Sequence, residues 1–221
     1  MKLVLYSGGQ ERSNHKLHQA VVELTGRKRG LQLAYIPFCS EGSAVFYQRA
    51  IRRYKAHGVQ KFLCLKVDQS PSESEIKRTL QSDIIYLAGG NTFYFLNHLR
   101  KSGMLPRLIN YVKDGGVLTG LSAGALILTP TIKLAGAKNL DPDENEVGLK
   151  DLKGLGLVDF EFAPHFSTSS KMITALTNYS KKSPYPVYAC SDGGGILIQN
   201  EQFSILGKAS VFYQGVRCRL S

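Results

Sequence analysis

Five short, nearly uninterrupted apolar runs, separated by longer amphipathic stretches, constrain this chain more than any other feature. The runs are Lys2 to Tyr6, Leu31 to Pro37, Lys61 to Val67, Asp83 to Ala88 and Gly116 to Thr119. Between them Asn14 to Leu24, Ala44 to His57 and Ser72 to Gln81 show helical periodicity. In the second of these, Ala44, Phe46, Tyr47, Ala50, Ile51 and Tyr54 form the apolar stripe, with Arg49, Arg52, Arg53 and Lys55 mostly elsewhere. Strands that are apolar on both faces need a helical layer on each side, so the order strand–helix–strand predicts a doubly wound, mostly parallel α/β sheet flanked by helices. Such a sheet presents ligands at the carboxyl ends of its strands. Past about Asp159 the pattern changes to short strands with hairpin-like spacing, Pro186 to Cys190, Gly195 to Gln199, Phe203 to Leu206 and Ala209 to Tyr213, which predicts a small C-terminal antiparallel extension or second sheet.

No Pro/Ser-rich linker or charge run divides the 221 residues, so the expectation is a single domain over 1–221. The first apolar run turns at Ser7-Gly8-Gly9, far short of a signal peptide's core, and no window approaches a membrane span, so a cytoplasmic protein without a membrane partner is expected. Cys39, Cys64, Cys190 and Cys218 are scattered without a Cys-x-x-Cys pair and read as reduced thiols, with no metal site implied. The net charge of +11 invites a polyanion partner, yet the excess is spread along the chain and residues 141–160 reverse it with six acidic against two basic side chains. No basic stripe interleaved with aromatics accompanies it, so no nucleic-acid partner is expected.

The sharpest local feature is Gly120-Leu121-Ser122-Ala123-Gly124, between the fifth run and the helix-capable Ala125-Leu-Ile-Leu. A serine on so tight a strand-to-helix turn has its oxygen exposed and the first helical amides directed toward it, which makes Ser122 a candidate nucleophile and the Ala123 amide an oxyanion donor. Leu87-Ala88-Gly89-Gly90-Asn91-Thr92 is a second strand end, where the Gly90 amide could complete that oxyanion hole and where Asn91 and Thr92 could cap a helix or meet substrate. Of five histidines, His15, His18, His57 and His98 fall at places usual for solvated side chains. His165 follows the strand-like Phe160-Glu-Phe-Ala and Pro164, which makes it the candidate base. For the carboxylate that orients it there are two candidates, Asp192 in the glycine-rich turn Ser191 to Gly195 and the acidic group Asp141, Asp143, Glu144 and Glu146.

GLSAGA at 120–125, AGGNTF at 88–93 with the helices that follow to Gly115, and APHF at 163–166 together resemble the peptidase E family, relatives of cyanophycinase. The resemblance spans most of the chain and implies a cytoplasmic serine hydrolase with a fold similar to class I glutamine amidotransferases and no metal or cofactor. It assigns Ser122 as nucleophile, His165 as base and the Gly90 and Ala123 amides as oxyanion hole. It implies a small peptide substrate, a dipeptide with N-terminal aspartate or an aspartyl or isoaspartyl amide, and leaves monomer or homodimer open. The aspartate that the family carries about fifteen residues after the serine is Ala137 here, which favours Asp192, the position resembling a cyanophycinase glutamate, over Asp141. Lys133 stands where the family has an arginine and keeps a cation for a substrate carboxylate without the bidentate fork. An amidohydrolase of other specificity and an inactive polyanion-binding member are the alternatives.

Overall fold

In a computed structural model that describes residues 1–9 and 12–220, the expected alternation runs β1 (Lys2–Tyr6), α1 (His15–Leu24), β2 (Leu31–Ile36), α2 (Ser43–Lys55), β3 (Val59–Cys64), α3 (Glu73–Leu80) and β4 (Ile84–Leu87). It continues through α4 (Thr92–Lys101), α5 (Met104–Lys113), β5 (Val117–Leu121) and α6 (Ala123–Leu128). After a long connection come β6 (Glu161–Ala163), α7 (Ser170–Ser180), β7 (Val187–Cys190), β8 (Gly195–Gln199), β9 (Gln202–Leu206), β10 (Ala209–Tyr213) and β11 (Val216–Leu220). A seven-stranded sheet has the order β3-β2-β4-β5-β1-β8-β9, parallel from β3 to β1 and antiparallel beyond. A second sheet has the order β11-β10-β7-β6. The fold is mixed α/β with a mostly parallel central sheet flanked by helices.

The near-continuous apolar character of the central strands has its cause in this layering. Leu3, Val4, Leu5 and Tyr6 are all fully buried, Leu3 and Leu5 against the layer holding α3 to α6, Val4 and Tyr6 against α1 and α2. Each such side chain removed from water contributes roughly 1.5–3 kcal/mol. Antiparallel β8 and β9 extend the main sheet while β7 and β10 belong to the second, so the C-terminal strands divide between the two arrangements expected for them.

Some elements differ from expectation. The third strand covers Val59–Cys64, not Lys61 to Val67, because the chain leaves the sheet for a short 3-10 turn at Val67–Gln69 that still buries Leu65 and Val67. β5 runs through Gly120 and Leu121, two residues beyond the expected end, and delivers Ser122 directly. On α2 only Ala50 and Tyr54 of the apolar stripe are buried, whereas Phe46 is 55% exposed. α7 and the edge strand β11 had no strong signal, the first being weakly amphipathic and the second interrupted by Arg217 and Arg219. No described helix is long and apolar enough to cross a membrane.

Candidate active site

The carboxyl ends of β1, β5 and β7 meet at one edge of the molecule. β1 and β5 pair in register, Tyr6 opposite Leu121, and the Ser122 amide donates to the Tyr6 carbonyl at 3.0 Å. Ser122 adopts φ 50° and ψ −108°, a strained conformation that costs on the order of 1–3 kcal/mol and turns the side chain outward. The flanking glycines let the turn close. A Cβ on Gly120 would lie 2.3 Å from the Gly124 carbonyl carbon, and one on Gly124 would lie 2.4 Å from the Leu87 oxygen. That packing is the physical content of the Gly-x-Ser-x-Gly spacing.

Parallel pairing of β6 with β7, Ala163 opposite Ala189, brings the histidine to the same edge. The Phe166 amide continues the pairing by donating to the Cys190 carbonyl at 3.0 Å. His165, at φ 56°, is held between, its imidazole Nε2 2.9 Å from Ser122 Oγ and its Nδ1 2.8 Å from Asp192 Oδ1. An ionised carboxylate only accepts, so Nδ1 carries the proton and Nε2 presents its lone pair to the serine hydroxyl. Asp192 sits in the turn by which the chain passes from the second sheet into β8, anchored by the Gly193 amide donating to the Gly8 carbonyl at 2.8 Å. Asp141 lines the same pocket but makes no hydrogen bond to His165 among the described residues. Asp192 is therefore the carboxylate against the imidazole.

Two residues of this assembly escaped the sequence reading. Ser7, fully buried, accepts from the His165 backbone amide at 2.7 Å and donates to the Cys190 carbonyl at 2.7 Å, with Asp192 Oδ1 3.3 Å away. One hydroxyl thus ties together the two loops that carry His165 and Asp192. Gly8 is the other, since a Cβ there would lie 2.3 Å from His165 Cε1 and 2.6 Å from Asp192 Oδ1. The signal for them is topological, since β1 lies between β5 and β8 and its carboxyl end falls between the turns that bear Ser122 and Asp192. Beneath them the buried Cys190 thiol is pushed up to about 12 by desolvation and stays protonated and inert.

Around Ser122 lies a cavity of about 280 Å³ lined by Gly90, Thr92, Leu126, Leu134, Leu140, Asp141, Asp143, Ala163, His165 and Met172 among others. Gly90 is at φ 143° under the Phe38 ring, where a Cβ would come within 2.1 Å of that ring. The Ala123 amide, in the first turn of α6, has no intrahelical partner, and neither it nor the Gly90 amide has a backbone acceptor among the described residues outside helices and strands. Thr92 lines the cavity, but its amide is held by Asp143 Oδ2 at 2.8 Å. Asn91 is committed to the fold, its Oδ1 accepting from the Tyr94 amide at 2.9 Å and its Nδ2 donating to the Glu144 carbonyl at 2.8 Å. The acidic segment is accordingly packed on the β4–α4 turn and is not merely solvated.

Lys133, expected to meet a substrate carboxylate, is not brought here. It lines a separate depression with Lys150, Glu161 and Lys182, because the short turn Lys133–Gly136 points Leu134 and Ala135 into the Ser122 cavity and sends the lysine the other way. His18, expected to be solvated, is 2% exposed, bonded through Nδ1 to the Tyr6 hydroxyl at 2.9 Å. Burial, and then the positive Arg53 and neighbouring His57 and His15, lower it to about 3. Among the described residues no three His, Cys, Asp or Glu side chains group to hold a metal ion.

The fold and its relatives define the class as serine-type peptidase. The model of Peptidase family S51 matches residues 3–206. The chain belongs to that family. It is 32% identical over 186 residues to the uncharacterized peptidase Lmo0363 of Listeria monocytogenes, covering 81% of this chain and 88% of the relative. It is 22% identical over 230 residues to a peptidase E of Streptomyces coelicolor, covering 99% and 90%. A solved structure of a candidate peptidase E protein from Listeria monocytogenes matches with TM-score 0.75 at 25% identity over 93% of this chain and 98% of that one. A peptidase from an acI-B1 Actinobacterium shares the fold, with TM-score 0.74 at 16% identity over 100% and 93%.

Proposed function

We propose that the chain hydrolyses small peptides through Ser122, His165 and Asp192, acting on the bond after an N-terminal residue that is apolar. The observation that carries this reading is the continuous hydrogen-bonded line from Ser122 Oγ through the imidazole to Asp192, at 2.9 and 2.8 Å. Ser122 Oγ attacks the peptide carbonyl while His165 Nε2 takes its proton. The Gly90 and Ala123 amides receive the oxyanion, and Asp192 stabilises the imidazolium. The C–N bond breaks as His165 returns the proton to the leaving amine. Water, deprotonated by the same imidazole, then cleaves the acyl-serine.

The character of the acyl-side pocket follows from its lining. Leu126, Leu134, Leu140, Ala163 and Met172 supply apolar walls, and Asp141 and Asp143 the charge, with no lysine or arginine among the described lining residues. A free α-amino group is attracted there, whereas the aspartyl side chain that the family resemblance implies meets like charge. Lys133, which would have relieved it, faces elsewhere.

The test is turnover of Leu-Phe and Asp-Phe by the wild type and Ser122→Ala. The variant is expected to lose a factor on the order of 10⁴ or more with an unchanged melting temperature, and Leu-Phe to be cleaved faster than Asp-Phe. Full activity in the variant overturns the mechanism, and preference for Asp-Phe overturns the pocket reading.

A further inference from the structure

A second cavity, of about 370 Å³, lies on the α2 side of the Gly89–Gly90 turn and shares Gly90 with the Ser122 pocket. Its floor holds Tyr35 and Tyr86, stacked at 5.5 Å, and Phe38 forms the wall beside Gly90. Its mouth holds Phe46 and Arg49, both on the exposed side of α2, with the Arg49 guanidinium 5.5 Å from the Phe46 ring centre. Glu41 and Arg53 also line it, so two arginines face one carboxylate. The exposure of Phe46, where helical periodicity placed it on the buried stripe, is explained if the ring borders a ligand site and does not cover the core.

Resting on the serine-hydrolase reading above, we infer that this cavity is the leaving-residue subsite, taking an apolar or aromatic C-terminal residue whose free α-carboxylate pairs with Arg49. The two cavities meet at Gly90, where the scissile carbonyl must lie, and their net charges are opposite, two carboxylates on one side and two guanidinium groups against one carboxylate on the other. A dipeptide has the matching polarity, its ammonium on the acyl side and its carboxylate on the leaving side. Two residues extend only about 7 Å, so a dipeptide bound across Gly90 keeps both of its charges close to that point. A longer peptide would carry an uncharged amide past Arg49. The arrangement therefore selects length as well as side chain.

The experiment compares Leu-Phe with its C-terminal amide, in the wild type and in Arg49→Gln. The wild type is expected to favour the free acid about tenfold in kcat/KM, mostly through KM, and Arg49→Gln to remove that preference by losing about tenfold more on the acid than on the amide. Arg49→Lys, which keeps the charge without the fork, should restore part of it. Equal cleavage of acid and amide by the wild type, or an equal loss on both in Arg49→Gln, overturns the inference. So does failure to cleave Leu-Phe by an enzyme whose Ser122 still turns over p-nitrophenyl acetate. Ester turnover that survives in Ser122→Ala instead refutes the underlying hydrolase mechanism.

Discussion

Replacing Gly8 by alanine adds one methyl group, and the structure places that methyl against His165 and Asp192. It would lie 2.3 Å from His165 Cε1 and 2.6 Å from both His165 Nδ1 and Asp192 Oδ1. Ordinary carbon contacts begin near 3.5 Å, so the imidazole or the carboxylate must retreat by about 1 Å. Their side chains are 54% and 51% exposed, so they can swing toward solvent at the expense of their hydrogen bonds. The backbone at Gly8 is outside the left-handed region, so alanine adds no conformational strain there. The cost thus falls on alignment. A displacement of about 1 Å between reacting groups lowers the rate on the order of 10²-fold, about 2.7 kcal/mol in activation free energy. Steady-state hydrolysis of Leu-Phe should show kcat reduced by about that factor with KM little changed, because Gly8 itself lines neither cavity. Urea unfolding should shift by less than about 1 kcal/mol. A kcat within threefold of the wild type would refute the reasoning, and so would a large loss of stability, which would mean that the methyl group displaces the scaffold and not the site.

The two carboxylates near the site should separate by kinetics. Asp192→Asn leaves an amide where Nδ1–H needs an acceptor, so kcat should fall about 10³-fold or more, while Asp141→Asn should raise KM for a free-amine dipeptide and spare kcat. The reverse pattern would exchange their roles. Stability should depend on pH through His18. Its folded pKa, about 3, lies below the ordinary 6.5, so between these values the unfolded chain binds a proton that the folded chain refuses. The stabilisation is complete above pH 6.5 and is lost as pH falls toward 3, at up to about 1.4 kcal/mol per pH unit. Urea titrations at pH 7, 6 and 5 should therefore show a steeper decline for the wild type than for His18→Phe, and parallel curves would defeat the argument.

How much of this was legible in the sequence depends on how far each residue's partners lie along the chain. The parallel core was readable because burial on both faces forces apolar runs that need no knowledge of their neighbours, and Leu3 to Tyr6 show it. Ser122 was readable because its turn is local, its two glycines answering to contacts within the elbow and with β4. Lys133 misled because a short 3-10 turn rotates successive side chains to different cavities, and no periodicity in four residues reveals which. His18 misled because its cover comes from Tyr6 and Tyr54, the latter on a different helix, so an amphipathic pattern within α1 could not show that it is enclosed. Ser7 and Gly8 are the instructive case. Their partners are at 165, 190 and 192, and nothing in the surrounding six residues distinguishes them from an ordinary strand-ending turn. Topology distinguishes them. In a doubly wound sheet the carboxyl ends of adjacent parallel strands converge, and β1 lies between β5, which carries Ser122, and β8, whose preceding turn carries Asp192. A small polar residue followed by glycine at the end of the strand between the turns that bear Ser122 and Asp192 is therefore placed to brace both. That inference is available once the strand order is known, and it makes the end of β1 as much a part of this site as the serine turn itself.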